Sequence, residues 1–327
     1  TLTAAVLGIL AKALACARGS FSIDRFGDIA KALWTKSSSN VSTLFNALLG
    51  NATSATGSKT LSATDLGKMA KALANASGAF SADRLGSIAS TLWFDSGFNL
   101  GTMAKALATA GANFYQVAKA VANSDGLNLG FYQAARAVAN SDGLNLGFYT
   151  AAKALYFKFG LDLSYNEVAK ALYYESGLNL SFYDVARALY RGEGLGLNYN
   201  LVAKALYYSE GIDLNFYEVA RALYRGEGLN LTYNDVAKAL YYSEGIDRNF
   251  YEVARALYRG EGLDLSAANT ARALYYSDGI DRTTTEVAKA LYKGTGIDLS
   301  FDDAVSALVD ASICSFREAV RVVNSII

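Results

Sequence analysis

The sequence has no histidine, no proline, only two cysteines, and 30 basic side chains against 30 acidic ones. Without histidine it lacks the usual general base, the side chain that titrates near neutrality and the commonest metal ligand. Most catalytic and metal-centred functions thereby lose their ordinary carrier, so no enzyme activity, metal or cofactor is expected. Without proline, no residue removes a backbone N–H from a helix interior. Cys16 and Cys314 sit near opposite ends of the chain, which excludes a disulfide framework and a four-cysteine zinc site. Two readings stay open for them: buried thiols that pack as small apolar residues, or, since an extended array would hold them too far apart to bridge within one chain, a disulfide that joins different copies. Zero net charge removes bulk attraction to nucleic acid or anionic membrane and favours association. No uninterrupted apolar run reaches the roughly 18 residues of a membrane span. The chain does not open on methionine, as though a leader had been removed or the sequence trimmed.

What is present is a repeat. The core Ala-Lys/Arg-Ala-Leu, or a close variant, recurs every 17 residues, with its cation at Lys119, Arg136, Lys153, Lys170, Arg187, Lys204, Arg221, Lys238, Arg255, Arg272 and Lys289. A glycine series keeps the same step, from Gly126 to Gly296. In the window Leu163 to Gly177, Tyr165, Val168, Ala169 and Leu172 fall at the three- and four-residue steps of a buried helical stripe. Ser164 with Glu167 reads as a capping box, as do Thr283 with Glu286, Asn215 with Glu218 and Asn249 with Glu252. The connector glycine is expected to supply the left-handed residue that ends the helix. Each unit is then a helix of about three turns with a connector of about four residues.

So short a helix cannot bury its stripe alone, and short connectors make successive helices antiparallel neighbours. Windows ending Tyr-Tyr-Ser-Glu (207–210, 241–244) alternate with windows ending Tyr-Arg-Gly-Glu (190–193, 224–227, 258–261), giving a 34-residue pair of an A and a B helix. The expected fold is an all-α, right-handed solenoid of helical hairpins with about 19 helices, the handedness by analogy with known arrays. It should divide into degenerate capping helices over 1–60, closed by the Gly/Ser/Thr-rich stretch Gly50–Ser62, irregular repeats over 61–110, a regular array over 111–305, and a cap over 306–327.

Thirty-four residues is also the tetratricopeptide period, and Leu189 to Leu195, Leu-Tyr-Arg-Gly-Glu-Gly-Leu, loosely resembles turns of that class. The tryptophan-leucine-glycine-tyrosine pattern and the closing proline are missing, so no functional residue is carried over.

The candidate sites are rows. B helices carry two cations four residues apart, Arg187 with Arg191, Arg221 with Arg225, Arg255 with Arg259, and Lys289 with Lys293. Such pairs could clamp carboxylate or phosphate. The ladder cations also follow a carboxylate by three residues in most windows, as ordinary helix-surface pairs do. A windows instead place Tyr174, Tyr208, Tyr242 and Tyr276 beside Glu175, Glu210, Glu244 and Asp278. Unlike faces on one molecule can dock copy to copy and build open filaments or sheets. The leading expectation is therefore a self-associating structural scaffold. Nucleic acid or another polyanion gripped by the B-face arginines is the alternative, and a peptide-binding scaffold the third choice. The Asn or Asp two residues after each connector glycine (Asn128, Asn145, Asp162, Asn179, Asp213, Asn230, Asp247, Asp264) fits a local turn role better than a recognition code.

Overall fold

The computed structural model describes residues 25–34, 63–77, 84–96 and 99–327, with isolated positions at 6, 9, 10, 41, 44, 45 and 48. Cys16 and the Gly50–Ser62 stretch lie outside the described residues. The described residues form seventeen helices and no strand; the expected count of about nineteen also took in stretches outside them. The chain divides into two compact units, Thr1–Ser164 with Tyr174–Asn179, and Tyr165–Tyr173 with Leu180–Ile327.

The first unit holds α1 (Phe26–Trp34), α2 (Ala63–Ala74), α3 (Leu85–Ser96), α4 (Leu100–Ala110), α5 (Phe114–Ala122), α6 (Gly130–Ala139) and α7 (Gly147–Tyr156). The second holds α8 (Tyr165–Tyr173), α9 (Phe182–Tyr190), α10 (Tyr199–Tyr207), α11 (Phe216–Tyr224), α12 (Tyr233–Tyr241) and α13 (Phe250–Tyr258). It continues through α14 (Ala267–Tyr275), α15 (Thr284–Tyr292), α16 (Phe301–Asp310) and α17 (Phe316–Asn324). Throughout the second unit, and from α2 onward in the first, each helix packs on the next and on the next but one. That is the two-layered stacking of a helical-repeat solenoid. Even-numbered helices of the second unit are the A helices and odd-numbered ones the B helices.

Each repeat buries the same few side chains. In α11, Val219, Ala220, Ala222 and Leu223 are fully buried, and Leu229 beyond the helix joins them. The two alanines let neighbouring helices approach closely around the cation between them. Tyr165, assigned to the stripe from spacing, is only half-buried, and the second alanine takes its place. From α9 onward starts are fixed by extended N-caps: the Asn215 and Asn249 side chains accept from backbone N–H groups while Glu218 and Glu252 reach back to complete the box. The same reciprocal box forms at Thr283 with Glu286 and at Asn113 with Gln116.

Helix ends differ from the sequence expectation. The regular helices are nine residues, two and a half turns, and eight residues join Tyr224 of α11 to Tyr233 of α12. Arg225 leaves the helix in extended conformation, and the connector folds back over the last turn. Leu229 and Leu231 donate their N–H groups to the Ala222 and Leu223 carbonyls at 3.0 Å each, satisfying acceptors that a helix end leaves open. The glycine does not supply the left-handed residue. Asn230 does, at φ 58°; its Asn and Asp counterparts from Asn128 to Asp298 have φ between 53° and 62°, and Gly196 holds the same position at φ 67°. Asn and Asp tolerate that region, so the turn role assigned to them holds. Gly228 lies outside the left-handed region and is required for space: a Cβ there would come within 1.9 Å of the Ala222 carbonyl oxygen.

Candidate partner-binding rows

Because helices two apart are stacked, their connectors lie side by side. Residues 207–209 and 213–215 after α10 enclose a groove of about 660 Å³ with Ile246, Asp247 and Arg248 after α12. Residues 224–227 and Asn230 after α11 enclose one of about 730 Å³ with Leu263 and Asp264 after α13. The second unit therefore carries one row of connectors from A helices and another from B helices.

Three of the predicted tyrosines are the C-caps of A helices. Tyr208, Tyr242 and Tyr276 are exposed, each ring packed edge-on against the preceding tyrosine with centroids 5.1–5.2 Å apart. The Tyr276 hydroxyl donates towards the Ala311 and Ser312 carbonyls, 3.2 and 3.0 Å away, tying one A connector to the next. Tyr174 is half-buried and belongs to the first unit.

The predicted cation pairs divide by environment. Arg191, Arg225 and Arg259 are exposed C-caps, where a positive charge also complements the helix C-terminus. Lys293 holds the same position half-buried, its Nζ 6.0 Å from the Tyr292 ring centroid. Arg187, Arg221, Arg255 and Lys289 are half-buried in the stack. Arg187 pairs with Asp184, Arg221 lies 6.0 Å from the Phe182 ring centroid of the neighbouring B helix, and the Nε atoms of all three arginines are buried without a hydrogen bond. In these B helices the ladder cations thus belong to packing, and the C-cap arginines to the surface. Of the pairings expected three residues back, Arg187 with Asp184 forms; Glu218 and Glu252 instead turn back to cap their helices.

Arg248 and Arg282, off the ladder, escape a reading based on period. Arg248 donates to Glu252 through Nε (2.9 Å) and Nη2 (2.7 Å), also donates to the Tyr207 hydroxyl, and sits 5.6 Å from that ring's centroid. Burial works against its charge, but the hydrogen bond and charge of Glu252 outweigh it and hold the guanidinium more firmly protonated. Arg282 repeats the arrangement with Glu286 at 3.4 Å and Tyr241 at 5.1 Å. The available signal is the change from Ile212-Asp213-Leu214 to Ile246-Asp247-Arg248 and Ile280-Asp281-Arg282.

The two rows differ in charge. In the A row, Glu210 and Asp213 have no cation in their own connector, Glu244 and Asp247 share theirs with Arg248, and Asp278 and Asp281 share theirs with Arg282. In the B row, Arg191 is matched by Glu193 and Arg225 by Glu227; Arg259 accompanies Glu261 and Asp264, and Lys293 accompanies Asp298. The A row is acidic and the B row close to neutral, with its cations outermost on the helix ends.

Cys314 is a half-buried free thiol after α16, its pKa pushed up by burial and by the charge of Glu318. Among the described residues no three metal-ligating side chains gather, and no helix is long and apolar enough to cross a membrane. No protein-family model, curated protein or solved structure matches the chain.

Proposed function

We propose that the protein is a non-enzymatic scaffold whose copies associate by docking the B row of one on the A row of another. One observation carries this reading: both rows come from the same stacked repeat, so their spacing is identical. An arginine row and a tyrosine-acid row of equal pitch stay in register over every repeat they share. Arg191, Arg225 and Arg259 would then meet Tyr208, Tyr242 and Tyr276 and the adjacent carboxylates, through cation–π contacts and charge pairs. Such a contact uses different surfaces on the two copies and grows into open assemblies unless its rotation closes.

The test is sedimentation velocity across a concentration series. Wild-type protein should grow with concentration, and Arg191→Glu/Arg225→Glu/Arg259→Glu should remain monomeric. Mixing that variant with Glu210→Lys/Glu244→Lys/Asp278→Lys should restore a complex. A chain that stays monomeric at every concentration, or a triple variant that associates as wild type does, would overturn the reading. The exposed B-row arginines also suit a polyanion, but carboxylates in the same connectors weaken that case. Binding of a nucleic-acid fragment that falls steeply with salt, in a chain otherwise monomeric, would favour it.

A further inference from the structure

The repeat supplies its own control for recognising an unusual site. At two positions of the B-type connectors, Arg191, Arg225 and Arg259 are followed by Gly192-Glu193, Gly226-Glu227 and Gly260-Glu261. The connector after α7 carries Lys158-Phe159 instead, so a cation appears where those connectors have glycine; the acid is absent here as it is at Thr295 after Lys293. At Gly192 and Gly226 an added Cβ meets nothing within 4 Å, so this position points into open space and packing does not require a lysine there. Phe159 is 78% exposed, more than any other large apolar side chain of the described residues.

These two departures border one cavity of the first unit, of about 440 Å³. Its wall is formed by Leu85 and Gly86 of α3, by Gln116, Lys119 and Ala120 of α5, by Asn123 and Asp125 beyond α5, and by Lys158 and Phe159. The volume lies within the range of small-molecule sites. Gly86 keeps the wall tight, since a Cβ there would fall 2.5 Å from the Asp125 carbonyl oxygen. The Phe159 ring leans on Tyr115 of α5, with centroids 6.2 Å apart, which holds it at the rim. The Lys119 and Lys158 side chains are exposed and make no hydrogen bond or ion pair within the described residues. Asp125 is the single carboxylate of the lining, so the two ammonium groups leave it net positive. Gln116 accepts the Asn113 N–H through Oε1, which commits its acceptor to the cap and leaves its amide NH2 as a donor at the cavity wall.

We infer that this cavity binds a small ligand that joins an anionic group to a planar ring, with Lys119 and Lys158 holding the anion and Phe159 covering the ring. Two lysines serve as flexible point charges for phosphate or carboxylate, and an exposed phenyl ring gains by stacking on another flat apolar surface. The inference does not rest on the association of copies and is read at concentrations where the chain is dilute.

Isothermal titration calorimetry of the full chain with phenyl phosphate, benzoate, inorganic phosphate and phenol separates the parts. Phenyl phosphate should bind at least roughly tenfold more tightly than either inorganic phosphate or phenol, a difference of about 1.4 kcal/mol. The benzoate arm decides whether a carboxylate serves as well as a phosphate. Lys119→Ala/Lys158→Ala should abolish binding, and Phe159→Ser should reduce phenyl phosphate to the level of inorganic phosphate. Lys204→Ala/Lys238→Ala, which removes ladder lysines from the second unit, should change nothing. All the residues altered in the cavity are exposed, and circular dichroism checks that the variants fold. Slowed amide exchange over Asn123–Leu127 on adding phenyl phosphate gives a second readout on the unmodified protein. Absence of binding, or equal binding by wild type and the cavity lysine variant, overturns the inference.

Discussion

The connectors after A helices and those after B helices share one backbone and show the outside different chemistry. Both use a glycine beneath an alanine carbonyl, a buried Leu or Ile after it, and a left-handed residue after that. In one row the helix ends on an exposed tyrosine, in the other on an exposed arginine. Where they hand on to the next helix the cap varies within a row: after α10, α12 and α14, Glu218, Glu252 and Glu286 complete reciprocal capping boxes, whereas after α8 the Ser181 hydroxyl donates to Asp184. After α11, the shorter Asp235 bonds instead to the Thr232 hydroxyl at 2.7 Å. The shape of the turn is thus set by residues common to both rows, which leaves the C-cap and the residue before the glycine free to vary.

The strongest challenge to that division is a pair of substitutions two residues apart. Gly228→Ala should destabilise by about 3 kcal/mol, because its Cβ would collide with the Ala222 carbonyl. Gly226→Ala, with open space around it and an ordinary φ, should be neutral or stabilise by about 0.5 kcal/mol. Urea unfolding of the two variants reads the contrast directly, and equal effects would break the distinction between the two glycines.

A smaller effect is expected at the left-handed position. Asn230→Ala should cost about 1–2 kcal/mol and Asn230→Gly only a few tenths in the same assay. Next comes the cap, where Thr283→Ala should cost about 1 kcal/mol near neutral pH. The carboxyl of Glu286 is held below its usual range, first by the Thr283 backbone N–H, then by its hydroxyl, against a smaller opposing effect of burial. A carboxyl lowered by folding stabilises above its unfolded pKa and loses that contribution as pH falls through its folded value. The stability curves of parent and variant should therefore converge in acid; a constant gap at all pH values would assign the loss to the hydroxyl alone.

The smallest expected change in stability comes from exchanging row identities. Arg225→Tyr with Tyr242→Arg should shift stability by less than about 0.5 kcal/mol. Sedimentation should nonetheless show weakened association, since each row would then carry a residue of the other.

Much of the fold was legible because the repeat writes it many times. The period gave the helices, the Ala-Lys/Arg-Ala-Leu core gave the buried face, and Asn215 with Glu218 gave the helix start. The helix end was misread for a physical reason. Gly228 and Asn230 can both adopt left-handed backbone, and spacing cannot tell which of them does. The answer lies in the distance from Gly228 to Ala222, which the folded connector creates. The carboxylates were misread similarly, because Glu252 has two cations within reach along the chain and the helix start favours Arg248 over Arg255. The cavity beside Phe159 had a signal, the one connector reading Phe157-Lys158-Phe159, but a search for what recurs passes over what occurs once.

The connector that folds back over its own helix has a consequence for how such a protein can change in length. Its hydrogen bonds close within the repeat that makes them: Leu229 and Leu231 reach back to Ala222 and Leu223 and need nothing from a neighbour. A pair of repeats can therefore be duplicated or lost by recombination without leaving an open helix end at the junction. Length becomes a quantity that inheritance can adjust in fixed steps, each a single pair of helices.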